Sequence, residues 1–188
     1  MKLVALSGSN VGTKTRTVME YAAQAVMAQN PDIEVTLIDL AEEDMVFGDG
    51  RNYTEYTGDT GRVTRAIMDA DALIIGTPIF QASIPATLKN VFDLLPVGAF
   101  RDKVVAMVTT AGSAKHYLIA QQQLLPILVY MKAQVVSPYV FVEEKDLNRG
   151  RLVNDDVVQR LDRLVEDTIV LTNTYTQIRE AREASYGF

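Results

Sequence analysis

The densest chemistry in this sequence lies in one early stretch, Ser7-Gly8-Ser9-Asn10-Val11-Gly12-Thr13-Lys14-Thr15-Arg16-Thr17. It holds five hydroxyl side chains, two glycines and two cations. Glycine permits a tight turn, while hydroxyls and backbone N–H groups donate hydrogen bonds. A helix opening here would add the positive potential of its N-terminus, and the combination binds a phosphate. A plain polar connection with Thr15 as a helix cap would use the same residue types. The clustering of donors and cations favours the anion site.

The kind of phosphate is narrowed by spacing. A dinucleotide fingerprint needs G-x-G-x-x-G, and only Gly8 and Gly12 are available. Gly8, Lys14 and Thr15 have the spacing of a P-loop, and Asp39 follows a strand as a metal-binding acid would. Thr13, however, stands where that loop needs glycine before its lysine, so a nucleoside triphosphate is kept only as an alternative. A flavin phosphomonoester asks only for hydroxyls and N–H groups around one terminal phosphate. Ser9, Asn10, Thr15, Arg16 and Thr17 are the candidate partners.

A second stretch runs from Gly76 to Leu95: Gly-Thr-Pro-Ile-Phe-Gln-Ala-Ser-Ile-Pro-Ala-Thr-Leu-Lys-Asn-Val-Phe-Asp-Leu-Leu. Pro78 restricts the turn, and Ile79 and Phe80 would present an apolar wall for a flat ring system whose polar edge is met by backbone groups. Taken alone, Phe80 would serve equally well as core. The whole stretch resembles the NADPH-dependent FMN reductase family, which carries G-[TS]-P-x-[YF]-x-x-S-x-x-x-x-L-K-N-x-x-D-x-L at this place. Gly76, Thr77, Pro78, Phe80, Ser83, Leu88, Lys89, Asn90, Asp93 and Leu95 all fit.

The resemblance implies a flavodoxin-like fold, FMN as cofactor, and NADPH (or NADH) as electron donor to a small acceptor such as a flavin, a quinone or an azo compound. It implies a homodimer or higher homo-oligomer as well. The family's phosphate loop, G-S-x-R-x-x-S-x-T, maps onto Gly8-Ser9 and Thr15-x-Thr17. The arginine position holds Val11 and the hydroxyl pair falls one residue later, so Lys14 or Arg16 would supply the cation. Thr109-Thr110-Ala111-Gly112-Ser113 resembles the turn that approaches the flavin's pyrimidine edge, with Ala111 in place of a glycine. Ring contacts are therefore expected from Pro78, Ile79, Phe80 and Gln81 on one side, and from Thr110, Ala111, Gly112 and Ser113 on the other. Hydride moves from nicotinamide to flavin with the protein orienting the partners, so no catalytic side chain is named. His116 reads as a solvated histidine at a helix start. An electron carrier that binds FMN without oxidising nicotinamide is the competing class.

Composition sets the outer bounds. The chain has 188 residues, enough for one domain with a substantial core. The absence of cysteine excludes disulfides, thiolate metal sites and a cysteine nucleophile, and a single histidine gives no basis for a His-rich metal site. A net charge of −6 argues against a nucleic-acid surface. The N-terminal apolar run is too short for a secretory signal, and no segment approaches a membrane span. A cytoplasmic protein is expected.

These turns need a frame to hold them. Short apolar runs alternate with segments of helical period, the pattern of repeated βαβ units. Strands are expected at 2–6, 33–38, 72–76, 103–109 and 134–142, in a five-stranded parallel sheet of order 2-1-3-4-5 between two helical layers. Continuous apolar runs such as Val104-Val105-Ala106-Met107-Val108 suit strands covered on both faces. Helices are expected at 15–29, about 61–71, 85–95, 113–132 with a kink at Pro126, and from Asn154 onward. In this topology the ligand sits at the carboxyl ends of the strands, at the switch point of the strand order. The Gly-, Asp- and Tyr-rich stretch 47–61 is too long for a simple connector. It reads as a lid or dimer contact, with Arg51 available to a nicotinamide phosphate, or as a surface loop.

Overall fold

Parallel pairing of the apolar runs organises the computed structural model, which describes residues 1–185. Strand β1 (Lys2–Ser7) leads through the first turn into helix α1 (Lys14–Gln29) and returns to β2 (Glu34–Asp39). The 47–61 stretch carries a single 3-10 turn before α2 (Gly58–Asp69) and β3 (Ala72–Pro78). Next come α3 (Ala86–Leu94) and β4 (Val104–Ala111), then α4 (Leu125–Tyr130). Two short strands, β5 (Gln134–Val135) and β6 (Val140–Glu143), precede a β7 (Leu147–Asn148) and β8 (Arg151–Leu152) hairpin. The long helix α5 (Asp155–Ser185) follows.

The sheet order is β2-β1-β3-β4-β5, with β6 also pairing to β4, every pair parallel. This is the expected 2-1-3-4-5 arrangement, with one difference. The fifth strand is two pieces, pairing at Val104–Val105 and again at Val108–Ala111. Pro138 lies in the gap and has no N–H to give a ladder, which accounts for the interruption.

Alternate residues along each strand feed two cores. Val4, Leu6, Leu73, Ile75, Val105 and Met107 pack beneath α2, α3 and the 120–131 region. Leu3, Ala5, Ile74, Ala106 and Val108 face the other way, against Val18, Met19, Ala22 and Val26 of α1 and Val157, Leu161, Leu164 and Val165 of α5. Toward the end of that inner stripe Ile169 and Thr172 are buried, while Leu171 is 45% exposed.

The expected helix 113–132 is broken. A 3-10 turn at Ala114–His116 and a π-turn at Ala120–Leu124 precede α4, whose first turn holds Pro126. Proline lacks the N–H for an ordinary helical bond and crowds the carbonyl four residues back, so the ladder changes pitch ahead of it.

Candidate functional site

Parallel pairing brings the carboxyl ends of β1, β3, β4 and β6 to one edge of the sheet. A cleft of about 400 Å3 opens there, within the usual ~300–1,000 Å3 of small-molecule sites. Four segments line it: Ser9 with Val11 to Thr15, Pro78 to Phe80, Thr110 to Gly112, and Val142, Glu143, Glu144 and Leu147.

The first wall is shaped by its own backbone. Gly8 N–H donates to the Gly76 carbonyl at 2.7 Å, tying the turn to β3. Any side chain at Gly8 would meet Leu88 and that carbonyl, so the approach requires glycine. Ser9 Oγ donates to the Val11 carbonyl at 2.7 Å, closing a small hydroxyl turn. Gly12 then takes a left-handed φ of 74°. Thr13, at the cap position of α1, makes no side-chain cap bond. The first-turn N–H groups of a 16-residue helix are thus left without a side-chain cap beside the cleft, where an anion would satisfy them.

Thr15 sits inside α1 rather than capping it. Its Oγ1 lies 2.7 Å from Thr110 Oγ1, and both residues are buried. This bond joins the first turn to the third. Gly76 makes the joint possible, because a Cβ there would fall 2.4 Å from Met19 Sδ and 3.2 Å from Thr15 Cγ2. The second wall is a tight hairpin in which Phe80 and Ser83 exchange backbone bonds at 2.9 and 3.0 Å. Its central residues Gln81 and Ala82 both have positive φ, 48° and 58°, a turn that usually takes Asn-Gly and here is held by its neighbours. Phe80 is 37% exposed at the cleft.

The expected site residues therefore divide. Ser9, Thr15, Pro78, Ile79, Phe80, Thr110, Ala111 and Gly112 line one cleft. Asn10, Arg16, Thr17, Gln81 and Ser113 are not among its walls. Arg16 is turned toward the end of β2, where Nε binds Glu20 at 2.8 Å and Nη1 reaches Glu42 and, at 3.6 Å, Asp39. The hydrogen bond it donates to Glu20, followed by the one it donates to Glu42, holds its guanidinium even further above its ordinary pKa. Thr17 faces a different groove, with Tyr21 and the β7–β8 hairpin. Ser113 is at the cap position of the 3-10 turn but makes no cap bond, and His116, partly exposed, belongs to that turn.

The 47–61 stretch is pinned beside α3. Asn90 accepts from Gly48 N–H at 3.0 Å and donates to the Val46 carbonyl at 2.9 Å. Arg51 is engaged by Asp49 and lies 5.0 Å over the Tyr56 ring. The Arg51 hydrogen bonds hold the Asp49 carboxyl well below the usual carboxylate range. This arginine does not line the cleft.

Sequence reading missed the fourth wall. The β6 strand end was in view, but no residue was taken from it. Buried Asp146 organises the turn: it accepts from Glu143 N–H at 2.8 Å and from Asn154 Nδ2 at 2.7 Å, and its carbonyl accepts from Val153 N–H at 2.9 Å. Glu144 on this turn meets Lys14 at 2.6 Å, and Lys14 is the one cation on the cleft wall among the described residues. Among the described residues no group of acidic or histidine side chains could hold a metal ion, and no helix is long and apolar enough to cross a membrane.

Comparison with known proteins places these features in a family setting. Residues 1–147 match the family model described as NADPH-dependent FMN reductase. A protein of Geobacillus thermodenitrificans (strain NG80-2) described as an NAD(P)H-dependent FAD/FMN reductase is 36% identical over 170 residues, which are 90% of this chain and 92% of that protein. Among solved structures, an apo NADH:FMN oxidoreductase superposes with a TM-score of 0.75 at 29% identity, covering 88% of this chain and 86% of the other. An archaeal flavodoxin superposes with a TM-score of 0.64 at 18% identity, covering 92% and 99% of the two chains, and so shares the fold.

Proposed function

The chain belongs to the NADPH-dependent FMN reductase family, and from that premise we propose how its cleft works. It is an FMN-dependent NAD(P)H oxidoreductase, passing electrons from NAD(P)H through FMN to a small acceptor. The observation that carries the reading is one cleft joining an uncapped helix start to an apolar wall.

The residues present fit the group. Ser9, Thr15 and the first-turn N–H groups of α1 are a donor set for a terminal phosphate, and Lys14 adds charge. Pro78, Ile79 and Phe80 offer a face for the ring, opposite the backbone of 110–112. When bound, FMN supplies the hydride-accepting chemistry and the route of electrons to the acceptor. The chain's own residues contribute binding, orientation and exclusion of water. The Thr15–Thr110 bond holds two walls at fixed separation, and the pinned hairpin keeps Phe80 at the cleft. Hydride transfer to a flavin needs no protein acid or base.

The test is spectroscopic. Purified protein given FMN at micromolar concentration is expected to bind it with perturbed visible bands, which bleach on anaerobic addition of NADPH or NADH. Failure to bind FMN would remove the reading, and binding without bleaching would make the protein a carrier.

The chain is further taken to work in the cytoplasm and to self-associate. A second groove of about 420 Å3 between α3 and α4 is lined by Phe92, Leu95, Pro96, Val97, Ile127 and Tyr130. Val97 is 85% and Tyr130 69% exposed beside it. Exposed apolar surface of this kind marks a contact with another protein.

A further inference from the structure

We infer that Glu144 is a latch on the phosphate cradle, competing with the ligand's phosphate for Lys14 and so setting how strongly the cleft prefers FMN to unphosphorylated riboflavin. The inference rests on the flavin reading and adds a residue to it.

Three observations carry it. First, the carboxylate spans the cleft. Glu144 Oε1 lies 2.6 Å from Lys14 Nζ, joining the turn after β6 to the start of α1. A Cβ placed on Gly112 would lie 3.9 Å from Glu144 Oε2, so the same side chain borders the turn after β4. Second, Glu144 is held on a fixed base. The hydrogen bonds of buried Asp146 to Glu143 N–H and Asn154 clamp its turn between β6 and α5. Third, Lys14 has no rival on these walls. Arg16 is committed to Glu20, Asp39 and Glu42, and Lys145 is 2.8 Å from Glu143.

A phosphate dianion arriving at the first turn must therefore take Lys14 from Glu144, and then sits near a carboxylate that has lost its partner. Both side chains of the pair are more than half exposed, 52% and 62%, so the pair is weak enough to open. Riboflavin, with no phosphate, leaves it closed. An exposed pair corresponds to a factor of up to about five in a binding constant, and relief of like-charge repulsion adds to it.

The experiment titrates FMN and riboflavin, by flavin fluorescence, into the full-length parent, Glu144→Gln, Lys14→Met and the double variant. Glu144→Gln is expected to bind FMN about three- to tenfold tighter while riboflavin affinity stays within about twofold. Lys14→Met is expected to weaken FMN alone. In its background the gain from Glu144→Gln should shrink by half or more, because the competed-for cation is gone. An unchanged or weakened FMN affinity in Glu144→Gln overturns the latch, as does an equal gain with and without Lys14. If the parent binds neither flavin, it is the flavin reading that fails.

Discussion

Thr15 and Thr17 have the same side chain, and the helix separates their roles. Residues two apart on an α-helix point about 200° apart, so only one of them can face the cleft. Thr15 does, with its hydroxyl 2.7 Å from that of Thr110, while Thr17 faces the β7–β8 hairpin. Thr15→Val keeps the shape and removes the hydroxyl, leaving Thr110 Oγ1 buried without its partner. The expected loss is about 1–3 kcal/mol in denaturant unfolding, together with weaker FMN binding by fluorescence titration. Adding Thr110→Val should recover part of the stability, since neither hydroxyl is then orphaned. Thr17→Ala is expected to leave FMN affinity within about twofold of the parent. Equal effects of Thr15→Val and Thr17→Ala on FMN would show that the cleft does not hold the phosphate where α1 begins. The same geometry explains what was legible here. Residue type marked Ser9, Thr15 and Thr110, whereas the diversion of Arg16 depends on Asp39 and Glu42, carboxylates brought in by the end of β2.

At the scale of elements, the strands and most helices were readable because burial on both faces demands unbroken apolar runs and helices demand a stripe. Legibility failed where a proline acts through hydrogen bonding rather than hydropathy. Pro138 divides the fifth strand, and Pro126 divides the fourth helix into turns of different pitch. Helices α1 and α5 are joined by a bond that periodicity cannot reveal, since it uses residues on the rim of their shared face. Tyr21 Oη donates to Asp162 Oδ1 at 2.7 Å. Burial first, and then this bond, push the phenol up to about 12 from an ordinary 10.0. The neutral form is thus favoured in the fold. Its contribution is complete below pH 10, where the unfolded phenol is also protonated, and is lost as pH rises toward 12. Tyr21→Phe should cost about 1–2 kcal/mol at pH 8 by urea unfolding. The gap to the parent should close as pH rises above 10, and a gap constant to pH 11.5 would mean the bond is not formed.

The whole molecule carries two surfaces its cores do not explain, and they make opposite demands. One is the apolar groove between α3 and α4, rimmed by Val97 and Tyr130. The other is the distal part of α5. At about 1.5 Å per residue its 31 residues span roughly 46 Å, yet Thr172 is the last buried one. Beyond it Tyr175 accepts a 3.4 Å bond from Gln134, and Ile178 is 53% exposed. An isolated helical segment this short is marginal in water, so it adds little to the stability of the fold that precedes it. A net charge of −6 opposes association of two copies, and only a desolvated apolar contact would overcome it. The groove offers such a contact, whereas the distal helix is laced with Arg179, Glu180, Arg182 and Glu183. A chain ending at Tyr175 is accordingly expected to self-associate to the same extent as the parent in sedimentation equilibrium and to keep a Tm within about 2 °C. Val97→Asp, placing a carboxylate on the groove rim, is expected to give monomers that still bind FMN, since the groove and the cleft share no residue. Loss of dimer in the shortened chain, with Val97→Asp still dimeric, would move the contact from the groove to α5.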